Sequence, residues 1–270
     1  MRWACGITTA PRAGDRLLHD AYVSIQEAGW TDIVVSYDGS LPDVLPEVHL
    51  PPIENKGARG PWHNLRNTLR HLLSTKGSSE AFAIFQDDIL VSSNCREYLE
   101  SVFDGKFAAS KAIYSLYTAM DLASNTLFPA FVPNKDLPMK AYGALGYVFP
   151  REVAKRLVAN PPWPERARMA DIAVGEFCRR EGVTLMTHNP SLIVHMGEKS
   201  TCNPHIGLNQ SRQCKQFWLD CSDQNAIVDV NGERFKSCEF DSGRRRASRD
   251  VKPRLAGDGE IDGSTLILAS

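Results

Sequence analysis

The sequence predicts an α/β fold with a mixed, mostly parallel sheet. Short apolar runs rich in β-branched residues alternate with segments of helical periodicity, and this alternation starts at residue 3. Strand, helix and strand patterns follow one another between residues 3 and 37. A connection of that kind joins parallel neighbours and builds a βαβ unit.

The first unit has clear boundaries. Residues 3–9 are a strand run, and Pro11 and Gly14 mark the loop after it. From Asp15 the apolar positions follow helical spacing and stop at Gly29, a suitable C-terminal residue. The run DIVVSY, residues 32–37, is the second strand.

The remaining elements are predicted in the same way, with loops expected at 40–60, 119–142 and 188–210. Helices are expected at Trp62–Leu73, at Cys95–Phe103, after Pro150 and from Met169 to Gly182. Further strands are expected at 81–86, 113–118, 144–149 and 183–187.

Composition and length indicate one domain and a tail. The 270 residues are 43% apolar and 23% charged, which is typical of a globular chain. Residues 241–270 contain no aromatic residue, and the basic residues of this segment all lie in its first half. We expect a folded domain over 1–240 and a disordered tail over 241–270.

Charge and hydropathy exclude several classes of protein. A net charge of -1 does not favour a protein held to nucleic acid by bulk electrostatics. No apolar stretch reaches the roughly 18 residues that span a membrane. The first 14 residues lack an apolar run of signal-peptide length, so we expect a cytoplasmic protein.

The strongest candidate for chemistry is the sequence Gln86-Asp87-Asp88. The two carboxylates follow an apolar strand, at the sheet edge where α/β proteins bind ligands. Adjacent acids repel each other unless a cation or hydrogen-bond donors compensate them. A divalent metal on a diphosphate would do so; capping of the next turn is the structural alternative.

Two later positions carry further titratable candidates. His195 ends an apolar run and is followed by Gly197, so it is either a metal or phosphate ligand or a structural histidine. Asp171 opens a helix, where it serves either as a general base or as a first-turn charge. Glu176 is a weaker candidate for the same base.

Two further segments, one with glycines and one after the first strand, supply the remaining candidates. Gly143 and Gly146 precede a strand and permit either close approach of a ligand or a tight turn. Thr8, Thr9 and Arg12 follow the first strand and suit contacts with phosphate or nucleobase. Neither GxGxxG nor GxxxxGK[ST] is present, which excludes the dinucleotide and P-loop motifs.

Taken in order, these segments resemble a GT-A fold glycosyltransferase of the bacterial and phage type. The resemblance runs from Ile7 to about Thr201, through ITTAPR, IVVSYDG, AFAIFQDDILV, YGALGYVFPREVAKRL, MADIAVGEF and NPSLIVHMGEKST. It implies one GT-A domain, with nucleotide-sugar binding over about 1–118 and acceptor binding over about 119–240.

The resemblance also implies roles for single residues. Asp88 and His195 would hold Mn²⁺ or Mg²⁺ on the nucleotide diphosphate, and Asp171 would act as the base of an inverting enzyme. Gln86 stands where the family often has an acid. Nucleotide and sugar contacts are implied for Thr8, Thr9, Arg12, Asp38, Asp87, Gly143 and Gly146.

The function expected on these grounds is transfer of a sugar from a UDP-sugar donor to an acceptor hydroxyl with inversion. Glycans, lipid-linked sugars and DNA remain alternative acceptors. A nucleotidyltransferase with the same acidic site and a non-catalytic nucleotide- or glycan-binding module remain alternative functions.

Overall fold

The computed structural model describes residues 1–10, 16–39, 52–55, 57, 59–103, 105, 107–119, 129–135, 143–161, 169–196, 214 and 216–222, with a few short strands beyond. The helices are α1 (Leu17–Glu27), α2 (Pro61–Thr75), α3 (Cys95–Phe103), α4 (Arg151–Ala159) and α5 (Ala170–Glu181). No helix in these ranges is both long enough and apolar enough to cross a bilayer.

Ten strands belong to the main sheet and to a small sheet beside it. They are β1 (Trp3–Thr9), β2 (Ile33–Asp38), β3 (Ile53–Asn55), β4 (Ala81–Gln86), β5 (Ile89–Val91), β6 (Ala112–Ser115), β7 (Ala130–Pro133), β8 (Gly146–Pro150), β9 (Thr184–Asn189) and β10 (Ile193–His195).

The main sheet has eight strands in the order β3-β2-β1-β4-β8-β6-β9-β7. Strands β1 to β4 run parallel to one another, and β6 runs parallel to β9. β8 lies antiparallel between β4 and β6, and β7 is an antiparallel edge strand. The predicted α/β fold with a mixed, mostly parallel sheet is therefore confirmed.

The sheet separates two apolar layers because side chains alternate between the faces of a strand. On one face Ile7, Val35 and Phe85 join a cluster that includes residues of α1 and α3. On the other face Phe82 and Ile84 join a cluster that includes residues of α2, α4 and α5. The described helices and strands therefore form three layers.

The strand order has a switch point at β1. β1 leads through α1 to β2 on one side, whereas α2 leads to β4 on the other side of β1. Strand order reverses at β1, and ligands of open α/β sheets bind outside the carboxyl ends of the strands at such a point. Thr9 and Asp87 lie there.

The small sheet pairs β5 with β10 in antiparallel register, Ile89 opposite His195. Short strands follow at Gln216–Trp218, Ile227–Asp229, Glu239–Asp241, Arg244–Arg246 and Arg254–Leu255. Apart from Asp241 and the last two of these strands, the predicted tail 241–270 lies outside the described residues.

Candidate active site

The carboxyl ends of β1 and β4 are joined by a buried hydrogen bond. Thr8 is paired in register with Gln86, which makes Thr9 and Asp87 neighbours across the two strand ends. The Thr9 hydroxyl donates to Asp87 Oδ2 at 2.5 Å, and both residues are 5% exposed. The Thr8 hydroxyl donates to the Phe85 carbonyl at 3.1 Å. One oxygen of Asp87 is therefore oriented by the protein itself.

The second acid of the pair meets the predicted histidine. His195 Nε2 lies 3.2 Å from Asp88 Oδ2, and the Met196 amide donates to the Asp88 carbonyl at 2.7 Å. The pairing of β5 with β10 produces this contact, because Asp88 precedes β5 and His195 ends β10. Both side chains are largely buried, at 10% exposure for Asp88 and 20% for His195.

The Asp88–His195 pair fits two adjacent ligands of a divalent cation. Two ligands at right angles, each about 2.1 Å from an octahedral ion such as Mg²⁺, lie about 3 Å apart. Carboxylate oxygen and neutral imidazole are both ordinary metal ligands. Within the described ranges no three His, Cys, Asp or Glu side chains form a metal cluster. Substrate phosphates and water would have to complete the shell, as is common for Mg²⁺.

Asp38, at the end of β2, is bound to the start of α2. Its Oδ1 accepts from the Arg59 amide at 2.8 Å and its Oδ2 from the Gly60 amide at 2.7 Å. Gly60 has φ +96° and directly precedes the helix. A carboxylate is stabilised at this position by the helix dipole. Asp38 therefore fixes the first turn of α2 against β2.

Asp171 reaches the same edge of the sheet from the first turn of α5. Its Oδ2 accepts from the Gly143 amide at 3.2 Å, and its Oδ1 accepts from the Ile172 amide at 2.8 Å. Glu176, by contrast, forms an ion pair with the exposed Arg179 at 2.5 Å. That hydrogen-bonded arginine holds the pKa of Glu176 below its usual range. Asp171 is therefore held next to Gly143 by backbone amides, whereas Glu176 is paired with an arginine of its own helix.

The two glycines lie where side chains of the protein itself occupy the space. Gly143 has φ +77°, and a Cβ there would lie 2.5 Å from the Tyr117 ring. A Cβ on Gly146 would collide with Ile193 and come within 3.1 Å of Phe85. The absence of a side chain at Gly146 lets the small sheet pack onto the main sheet, next to the end of β4.

The structure brings most of the predicted site residues to one end of the sheet. Those at the carboxyl edge, or in the segments that follow it, are Thr8, Thr9, Asp38, Asp87, Asp88, Gly143, Gly146, Asp171 and His195. Arg12 lies outside the described residues.

The sequence interpretation missed a buried amide cluster beside this edge. Asn64, in α2, donates through Nδ2 to the carbonyls of Thr9 and Ser36, at 3.1 and 2.9 Å. Its Oδ1 accepts from Ser36 Oγ at 2.7 Å and from Asn55 Nδ2 at 2.8 Å. The signal was available, because Asn64 and Thr68 lie on the helix face that carries Leu65, Leu69 and Leu72.

Comparisons with known proteins leave the site to be interpreted from its own residues. No family model matches the sequence, and no curated protein matches it. Among solved structures, UDP-glucose pyrophosphorylase from Acinetobacter baumanii is similar over 68% of this chain and 84% of its own. The TM-score is 0.40 and the sequence identity 14%.

Proposed function

We propose that this chain is a metal-assisted, inverting glycosyltransferase that moves a sugar from a UDP-sugar to an acceptor hydroxyl. The observation that carries the proposal is the contact between Asp88 and His195, 3.2 Å apart at the carboxyl edge of the sheet. An acid and an imidazole that are far apart in sequence meet where a diphosphate would lie. Their chemistry suits Mn²⁺ or Mg²⁺.

The leaving group of such a reaction is a nucleoside diphosphate. A cation held by Asp88 and His195 would neutralise negative charge on the diphosphate. Asp87, oriented by Thr9, has its carboxylate at the same edge of the sheet and suits the ribose hydroxyls, which donate to carboxylates. Donor contacts are also assigned to Thr8, Arg12 and Asp38, by their position at or after the ends of β1 and β2.

Asp171 is the proposed general base. It takes the proton of the acceptor hydroxyl while the acceptor oxygen bonds to the anomeric carbon and the bond from that carbon to the diphosphate oxygen breaks. The electron pair of the broken bond leaves with the diphosphate, so a single displacement inverts the centre. The amides of Gly143 and Ile172 hold the carboxylate in place, which favours one productive orientation.

Donor binding and acceptor binding are proposed for two successive parts of the chain. Residues of about 1–118 form the nucleotide-sugar-binding part, and residues of about 119–240, which include the proposed base Asp171, form the acceptor part. Gly143 and Gly146 belong to a backbone segment proposed to lie near both donor sugar and acceptor, and His195 completes the metal site from the second part. The acceptor is assigned only as a hydroxyl compound: a glycan, a lipid-linked sugar or modified DNA. The cytoplasm is the proposed compartment.

A panel of nucleotide sugars with Mn²⁺ tests the proposal, with thermal stabilisation and product analysis as readouts. We expect one donor to stabilise the protein and to release a nucleoside diphosphate, slowly with water and faster with an acceptor. Formation of a nucleotide sugar from nucleoside triphosphate and sugar phosphate, with release of pyrophosphate, would instead show a nucleotidyltransferase. Donor binding without any turnover would favour a binding module.

A further inference from the structure

The buried amide of Asn64 holds three strand ends together next to the donor site. Ser36 belongs to β2, Thr9 ends β1 and Asn55 ends β3, and all three are hydrogen-bonded to the Asn64 side chain. Asn64 is 2% exposed, so water cannot replace these partners. An amide left without partners there would cost about 1–3 kcal/mol.

A carboxamide is well suited to this position. Its NH₂ group donates to two carbonyls and its oxygen accepts from two donors, so both ends of the side chain are used. A carboxylate has the same shape but no donor, and it would turn acceptor oxygens towards the carbonyls of Thr9 and Ser36. Charge and hydrogen bonding would then both oppose the observed arrangement.

The amide cluster is connected to the acidic pair through one residue, Thr9. Asn64 fixes the Thr9 carbonyl at 3.1 Å, and the hydroxyl of the same residue donates to Asp87 Oδ2 at 2.5 Å. Two residues after Ser36 on β2, Asp38 is bound to the amides of Arg59 and Gly60, which precede α2. The first turn of α2 and the two residues before it therefore fix the ends of both strands that border the proposed donor site.

We infer that Asn64 is a positioning residue of the donor site, acting through Thr9 to hold the Asp87 carboxylate in its binding orientation. This inference rests on the proposed function, since Asp87 is assigned to the donor there. Asn64 itself contacts no donor. Its effect should therefore appear in nucleotide affinity and should depend on the Thr9 hydroxyl.

The test is a double-mutant cycle between Asn64→Asp and Thr9→Val, read as the Kd for UDP with Mn²⁺ by calorimetry. Each single variant should weaken binding about tenfold, about 1.4 kcal/mol. The Kd of the double variant should exceed the higher of the two single-variant Kd values by no more than about threefold, because both changes release the same carboxylate. Thermal unfolding of every variant confirms that the measured protein is folded.

Two further variants complete the design. Asn160→Asp is the matched control, because the chemical change is the same and Asn160 is an exposed residue at the C-terminal end of α4, outside the Asn64 cluster. We expect its Kd to stay within twofold of wild type. Ser36→Ala removes one donor to Asn64 and should weaken UDP binding two- to threefold, so it replaces Asn64→Asp if that variant does not fold.

The outcomes separate this inference from the proposed function. Wild-type protein that binds neither UDP nor any other nucleoside diphosphate overturns the proposed function, and this inference with it. Wild-type binding together with an unchanged Kd in Asn64→Asp and Ser36→Ala overturns the role of Asn64 alone. Fully additive losses in the cycle also overturn it, because the effect would not pass through Thr9.

Discussion

His195 Nε2 lies 3.2 Å from Asp88 Oδ2 across 107 residues of sequence. Two three-residue strands create this contact, β5 directly after Asp88 and β10 ending in His195. Long-range pairing of this kind costs chain entropy and is stabilised by burial, and the apolar residues of both strands are nearly inaccessible to solvent. The small sheet therefore holds the two side chains together.

The variant Asp171→Asn tests whether Asp171 is a catalytic carboxylate or only a charge in the first turn of α5. An asparagine oxygen can still accept from one of the two amides that Asp171 binds, so folding should be nearly unchanged. A general base is worth about 10²–10⁴-fold in rate, and we expect a loss of that size in turnover with unchanged donor affinity. Glu176→Gln should keep turnover within a few fold. Unchanged turnover in Asp171→Asn together with a large loss in Glu176→Gln would contradict this and assign the base to Glu176.

Gly146→Ala tests the packing of the small sheet on the main sheet. The added methyl group would meet Ile193 and Phe85 in a filled core, and overpacking of this kind costs about 1–3 kcal/mol. At Gly77 a Cβ would meet nothing within 4 Å, so Gly77→Ala is a matched control. Urea unfolding measures both free energies of unfolding. Equal stability of the two variants would contradict the described packing.

His188 should make the protein less stable in mild acid. The ring is fully buried, with Nδ1 2.6 Å from the Pro190 carbonyl and Nε2 2.6 Å from the Tyr98 hydroxyl. Burial lowers the pKa of His188 to about 4, although the hydrogen bond to Pro190 opposes the shift. The folded pKa lies below the unfolded one, so the unfolded chain binds the proton first. Stability should fall as pH drops from about 6.5 to 4, by up to about 3 kcal/mol.

The measurement for His188 is the pH dependence of urea unfolding in wild type and in His188→Gln. Other groups titrate in the same range, and the comparison of slopes removes their contribution. The variant should lose the part of the slope between pH 6.5 and 4 that belongs to the imidazole. Parallel curves for the two proteins would show that His188 is not a buried neutral histidine.

The buried Tyr37 and the partly buried Tyr98 should respond differently to loss of the hydroxyl. The Tyr98 hydroxyl donates to His188, whereas the Tyr37 hydroxyl has no hydrogen-bond partner within the described part of the chain. Burial, and then the nearby Asp87 carboxylate, raise the pKa of Tyr37, so the hydroxyl stays protonated. Tyr98→Phe should cost about 1 kcal/mol and Tyr37→Phe less than about 0.5 kcal/mol. A larger loss at Tyr37 than at Tyr98, measured by urea unfolding, would contradict this.

Much of the fold could be predicted because its signals are local. The strands Trp3–Thr9 and Ala81–Gln86 and the helix Cys95–Phe103 agree with the sequence prediction residue by residue. Their apolar runs and helical spacing reflect burial against the two faces of one sheet. Gly182 ends α5 in the left-handed conformation, at φ +62°, as its position predicts.

The missed elements are those that depend on distant partners. β3, β5, β7 and β10 have three or four residues each, too few for a periodic pattern. β3, β7 and β10 lie in segments predicted as loops, and β5 lies in a segment for which no element was predicted. The site shows the same limit. Asp88 and His195 stand out as residue types, but only the pairing of β5 with β10 shows that they meet. Asn64 likewise stands out as a polar residue on an apolar helix face, but only its hydrogen-bond partners show what it does.

UDP binding by wild type and Asp88→Asn, titrated by calorimetry with Mn²⁺ and with EDTA, tests the proposed metal site most directly. We expect Mn²⁺ to strengthen UDP binding to wild type and Asp88→Asn to abolish this gain. Loss of one metal ligand should weaken Mn²⁺-dependent binding by more than the 10–100-fold typical of groups that only orient a ligand. Equal Mn²⁺-dependent affinity in the two proteins would contradict a metal site at Asp88 and His195.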